Sequence, residues 1–187
     1  MKTVLRLFLF LPVVAMMGCA VTSKSSPAVS EDSDLTKLAN YREWTLVNPE
    51  RQLMEPASAI SCGITLGRNG SSPHLNKWVS VFVNSVGRDA MMTKQRPRFP
   101  VGSMIVKEKH GSIDSTKPEL LTAMIKRQPG FNPGNGDWEY LLLDGDASKI
   151  VEQGKLTRCS GCHLAYKNSD YVTRTYLPRE VMSELKP

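Results

Sequence analysis

Cys159-Ser160-Gly161-Cys162-His163 stands near the end of a 187-residue chain. This is the C-x-x-C-H pattern of c-type haem attachment. Two thiols at this spacing can form thioethers to both vinyl groups of one haem, and the histidine that follows sits under the iron as its proximal ligand. A bare C-x-x-C has other readings: a redox dithiol, half of a zinc site, or a structural disulfide. Zinc takes about four ligands, and outside the leader only Cys62, His74 and His110 remain as donors. A redox dithiol calls for a βαβ setting, which the flanking sequence does not offer. One covalent haem c accounts for all three residues, with Cys159 and Cys162 as attachment points and His163 as the axial ligand of the iron.

Working outward, the chain before this motif is strand-like. Trp78 to Val83 is β-branched and aromatic and apolar on both faces, as a central strand is. Ile60, Cys62, Ile64 and Leu66 alternate with small or polar residues, which predicts a strand with one buried face and a packed Cys62. Ser103 to Lys109 is another strand candidate, and in an extended run Ile105, Lys107 and Lys109 share a face. Trp138 to Leu143 is a further strand, closed by Asp144-Gly145, and Thr45-Leu46-Val47 begins one more. Gly87 to Phe99 reads as a loop or short helix, Gln128 to Asp137 as a loop. Lys117 to Arg127 is ambiguous. Thr116-Lys117-Pro118-Glu119 looks like a capping box and Leu, Ala and Met favour helix, yet Leu121, Ala123 and Ile125 fit strand alternation. The residues alone lean to helix. Ala147 to Gln153 reads as a short helix. The haem motif opens a helix reaching Tyr166, Tyr171 to Pro178 is extended, and Pro178 to Lys186 is a terminal helix. Five or so short strands with helices at the two ends make an α+β domain, a mainly antiparallel sheet with short N- and C-terminal helices packing the haem.

The N-terminus reads as an export signal. Lys2 and Arg6 give a positive n-region, and Val4 to Met17, apolar apart from Arg6, is too short to span a membrane. It ends in Met16-Met17-Gly18-Cys19, where a small residue before Cys resembles a lipobox with Cys19 lipidated. Ordinary signal-peptidase cleavage nearby is the other reading. Residues 1–18 are thus expected to be a lipoprotein signal, 19–37 a Ser-rich flexible tether, and 38–187 the haem domain, with Asp34 able to cap a short helix through Leu35, Leu38 and Tyr41. The destination is the periplasm, anchored to the outer membrane, since Ala20 rather than Asp follows the cysteine. Export agrees with the motif, because haem is attached to such motifs outside the cytoplasm. The net charge of +6 falls to +4 without Lys2 and Arg6. With no basic block or aromatic-interleaved basic stripe, nothing points to nucleic acid.

The usual small cytochrome c is all helical and carries its motif near the N-terminus. This chain instead resembles the cytochrome P-460 and cytochrome c′-beta family. The matching strings are Tyr41-Arg42-Glu43-Trp44, Val81-Phe82-Val83-Asn84, Phe99-Pro100-Val101-Gly102 leading to Ile105-Val106-Lys107-Glu108, and Gly136-Asp137-Trp138-Glu139-Tyr140. The haem motif, Asp170-Tyr171-Val172 and Leu177-Pro178 complete the order, over about residues 38 to 180. The resemblance implies a homodimer, a curved antiparallel sheet, a strand rather than a helix at Leu121 to Arg127, and an open distal position on the iron. In cytochrome P-460 proper a lysine is also bonded to the haem ring, and the matching position is Lys107. Lys109 is a competitor, and a solvated strand lysine is the plain alternative.

Function turns on what faces the iron opposite His163. The family implies small nitrogen species: oxidation of hydroxylamine to nitrous oxide, or, in the c′-beta branch, nitric oxide binding. A plain electron-transfer lipoprotein with a redox partner protein is the third reading. Oxidation needs a proton acceptor near the distal face, and Glu108, Asp137, Glu139 and Asp144 are the carboxylate candidates, each of which also fits a surface or turn position. His74, His110, Met91, Met92, Met104 and Met124 are the candidate sixth ligands. Met stripes more often pack than ligate, and both histidines read as exposed.

Overall fold

The computed structural model describes residues 31–54 and 76–187. Cys19, Cys62, His74 and the strand expected at Ile60 to Leu66 lie outside them. The chain opens with helix α1 (Glu31–Ala39) and a 3-10 turn at Tyr41–Glu43. Seven strands form one sheet: β1 (Thr45–Leu46), β2 (Gln52–Leu53), β3 (Trp78–Val83), β4 (Met104–His110), β5 (Leu120–Lys126), β6 (Trp138–Asp144) and β7 (Ile150–Gly154). From β3 to β7 it is an antiparallel meander, with β1 and β2 both paired to the outer edge of β3. Helix α2 (Ser85–Thr93) links β3 to β4, and Asn84 starts it by accepting the Gly87 N–H on its side chain. After β7 come α3 (Thr157–His163), a 3-10 segment at Leu164–Ser169, and α4 (Arg179–Ser183).

Strand alternation makes two faces, each with its own core. Val81, Val83, Ile105, Met124, Trp138 and Tyr140 project to one side, where they meet Met91 of α2 and the C-terminal residues Tyr171, Val172, Tyr176 and Leu177. On the other side Phe82, Val106, Leu121, Ala123, Ile125 and Leu141 pack against Leu38 of α1 and Tyr41. The α+β class and the antiparallel sheet match the sequence reading.

Several local expectations change. Residues 120–126 are a strand, as the family resemblance implied and the helix propensity did not. β5 is hydrogen-bonded on both sides, to β4 and β6, so sheet pairing outweighs intrinsic preference. Ala147 to Gln153 is not a helix. Ala147 turns with φ 61° and Ile150 onward pairs with β6 across a bulge. Tyr171 to Pro178 forms turns rather than a regular extended segment. Helix α1 begins at Glu31, inside the stretch expected to be tether. Asp34 lies within that helix rather than at its cap, is buried, and pairs with Arg127, the residue that follows β5. A second carboxylate, Glu139 of β6, holds the same guanidinium, so α1 is tied to the back of the sheet by a bifurcated ion pair.

Candidate functional site

Between the sheet face and the C-terminal segment lies a cavity of ≈ 520 Å³, counting the space at its mouth. Its sheet wall includes Ile105, Lys107, Thr122, Met124 and Tyr140, and its other wall carries Cys159, His163, Val172 and Tyr176. The wall is mostly apolar, with a few placed polar groups.

Cys159 and His163 reach this cavity because α3 follows β7 directly, and Cys162 lies between them in the same helix. No disulfide joins Cys159 and Cys162. Among the described residues no three His, Cys, Asp or Glu side chains cluster as a metal cage would. Asn135 ties the motif to the sheet: its side-chain N–H donates to the Ser160 carbonyl at 3.2 Å, and its oxygen accepts the Tyr140 hydroxyl. The Tyr140 ring lies 5.1 Å from the His163 ring.

His163 Nδ1 is 2.7 Å from the Tyr171 carbonyl oxygen. A carbonyl can only accept, so Nδ1 carries the proton and Nε2 keeps the lone pair, which is the tautomer a metal-binding histidine needs. Burial pushes the imidazole pKa down to about 4. The Tyr171 hydrogen bond opposes that, and the Lys107 and Lys109 charges add to it. The ring is neutral at physiological pH. A thiol and a neutral imidazole with Nε2 available on the wall of an apolar cavity, with a second thiol in the same helix, are a donor set that fits a covalently held haem.

The Tyr171 carbonyl is presented by an unusual turn. Asp170 and Tyr171 both have left-handed backbone angles, φ 54° and 63°. Asp adopts this region more readily than most residues, whereas a bulky Tyr there is an outlier. Glycine is required beside them: a Cβ on Gly136, itself at φ 63°, would lie 2.6 Å from the Tyr171 ring and 3.0 Å from Asp170 Oδ1.

Lys107 is on the cavity wall, nearly buried, with Nζ 4.9 Å from the centroid of the Tyr176 ring. Its inward orientation follows from strand alternation, and a solvated strand lysine no longer describes it. Lys109 shares this face and is fully buried. Burial, with the Lys107 charge beside it, drives its amine well below the ordinary lysine range.

None of the carboxylate candidates lines the cavity. Glu108 projects to the back face, where its Oε1 accepts from the Tyr41 hydroxyl at 2.6 Å and from Arg42 at 2.9 Å. Glu139 also faces back, bonded to Arg127 and Gln153. Asp137 caps a loop by accepting the Gly130 and Asn132 backbone N–H groups. Asp144 closes the β6–β7 turn onto Ser148 and Lys149. The parity is simple: Lys107 and Tyr140 face the cavity, so Glu108 and Glu139, one residue away on the same strands, cannot. Trp138 is core, fully buried, donating its indole N–H to the Asp170 carbonyl at 2.7 Å.

His110 is not exposed. It is fully buried on the back face with Nε2 2.8 Å from Glu108 Oε2, which places it away from the cavity. Of the candidate methionines, Met91 and Met104 are core, and Met124 lines the cavity. Sequence reasoning did not single out Thr122, Tyr140 or Tyr176 as cavity hydroxyls. The first two carry a signal, since they share the parity of Lys107 across paired strands. Tyr176 comes from an irregular segment and carries none.

No curated protein matches the chain. The family model for cytochrome P460 matches residues 38–174, most of the described structure, from the end of α1 through the sheet, the C-x-x-C-H helix and the turn that holds His163. By that match, and with a donor set suited to the cofactor, the chain belongs to the cytochrome P460 family of haem proteins.

Proposed function

We propose that this protein is a mono-haem c-type cytochrome that acts on small nitrogen species at an open iron position, with hydroxylamine oxidation to nitrous oxide as its reaction. Bound through thioethers to Cys159 and Cys162, the haem supplies an iron centre that can bind a nitrogen ligand and accept its electrons. His163 serves as axial ligand through Nε2, oriented by the Tyr171 carbonyl. Two NH2OH give N2O and H2O with release of four protons and four electrons, the electrons passing to a redox partner protein. With the carboxylates on the back face or in turns, proton handling falls to the hydroxyls of Thr122, Tyr140 and Tyr176 and the amine of Lys107. Lys107 is the candidate third attachment to the haem ring. The export signal and Cys19 support a lipid-anchored periplasmic protein, and the family resemblance supports a homodimer.

The observation that carries this reading is Lys107 Nζ on the wall of the same cavity as His163 and Cys159. Met124 on that wall favours a second reading, in which its thioether fills the sixth position and the protein only carries electrons. Nitric oxide binding without turnover is the remaining alternative. Peptide mass spectrometry of the purified holoprotein decides the attachment: haem joined to Cys159, Cys162 and Lys107 is expected, with a red-shifted, broad Soret band on reduction. Haem joined through the cysteines alone removes the cross-link and, with it, the oxidase reading. Failure of the ferrous protein to bind carbon monoxide or nitric oxide overturns the open site and leaves the Met124 carrier.

A further inference from the structure

We propose that Asp170 is a positioning residue for the proximal imidazole. It holds the turn that presents the Tyr171 carbonyl to His163 Nδ1–H, and so sets how strongly His163 donates to the iron. The inference rests on the reading of His163 as the haem ligand.

Asp170 is buried, and every polar part of it is engaged. Its carboxylate oxygens accept from Lys126 Nζ at 2.8 and 2.7 Å, and Oδ2 also accepts the Phe99 backbone N–H at 2.8 Å. Its carbonyl accepts the Trp138 indole N–H at 2.7 Å, and its own N–H donates to the Lys167 carbonyl at 3.2 Å. The partners come from β5, β6, the loop before β4, and the 3-10 segment after α3. Its side chain therefore fixes the C-terminal turn against strand β5 and a loop, while its backbone carbonyl holds the turn to β6. The residue that follows is Tyr171, held at φ 63° where its type is disfavoured. A turn of that kind persists only where its surroundings over-determine it. Released from Asp170, the Tyr171 peptide would relax, and its carbonyl would leave the 2.7 Å contact with Nδ1. That bond to the outer nitrogen fixes ring orientation and raises ligand basicity. A more basic axial imidazole stabilises the oxidised iron, so weakening the bond raises the potential.

The test uses the holoprotein, with the haem reading checked first by pyridine haemochrome and mass of the wild type. Asp170→Ala should keep the covalent haem, shift the midpoint potential upward, and lower the iron–histidine stretching frequency of the ferrous form in resonance Raman. Asp170→Asn tolerates the left-handed angle and can still accept from Phe99 N–H, so it should restore most of both signals. Lys126→Met, which loosens the carboxylate while leaving Asp170 in place, should shift both the same way by less, and it carries the test if Asp170→Ala does not fold. Tyr41→Phe, on the back face, should lower stability without moving either signal. Wild-type values in both Asp170→Ala and Lys126→Met, or an equal shift in Tyr41→Phe, would overturn the proposal. A wild type without covalent haem would instead overturn the haem reading and this inference with it.

Discussion

Gly136→Ala tests how tightly the turn behind His163 is built. Two costs add. Gly136 has φ 63°, and placing an L side chain there costs about 1–2 kcal/mol. The new Cβ would also sit 2.6 and 2.8 Å from two carbons of the Tyr171 ring and 3.0 Å from Asp170 Oδ1. Neither neighbour gives way cheaply, since Tyr171 is buried in the cavity-side core and Asp170 is held by Lys126, Phe99 and Trp138. Overpacking of this kind costs about 1–3 kcal/mol. The sum is about 2–5 kcal/mol, read as a lower urea midpoint of the holoprotein with the slope unchanged. Gly134 is the control, because nothing lies within 4 Å of a Cβ built there and its φ is not positive. Gly134→Ala should therefore stay near wild type. If Gly136→Ala loses no more than Gly134→Ala, the contact between Gly136 and Tyr171 does not constrain the turn. A loss of only about 1 kcal/mol would leave the backbone angle as the whole effect.

Two further outcomes concern the back face. Arg127→Met should destabilise by about 3 kcal/mol, because it strands the buried carboxylates of Asp34 and Glu139 without their cation. A loss under about 1 kcal/mol by urea titration would show that this pair is no better than a screened surface bridge. Glu108 governs part of the acid limb. Burial pushes its carboxyl up, but hydrogen bonds from Tyr41, His110 and Arg42 outweigh that and hold it below its ordinary value of 4.5. Its contribution is therefore complete above that value and is lost as pH falls through the depressed folded pKa. The drop in stability on acidification should be shallower in Glu108→Gln, and an unchanged acid limb would remove Glu108 from that account.

Much of the chain was legible because its signals are local. The spacing of Cys159, Cys162 and His163 names an attachment chemistry without any fold. Period-two alternation in Met104–His110 correctly put Ile105, Lys107 and Lys109 on one face. The same parity puts Glu139 on the face opposite Trp138 and Tyr140, and Glu108 opposite Lys107, but which face meets the cavity is decided by where the C-terminal segment lands. Residues 120–126 lean to helix on propensity alone and read as strand only through the family resemblance, because a strand hydrogen-bonded on both sides needs no favourable intrinsic preference. His110 looked exposed beside Gly111, yet the back-face carboxylate of Glu108 gives it a buried partner.

What the sequence by itself determined is the set of reactive groups: two thiols and a histidine at haem spacing, a lysine in a strand, and the family they belong to. Those depend on covalent order and on alternation within single strands. The tertiary structure decided which groups share a space. It brought Lys107 to the wall that His163 lines, sent the carboxylates elsewhere, and set the proximal hydrogen bond through Asp170. Those assignments depend on the pairing of strands with loops far away in sequence. Lys126, Phe99 and Trp138 meet Asp170 across 44, 71 and 32 residues, and no local pattern records a contact at that distance.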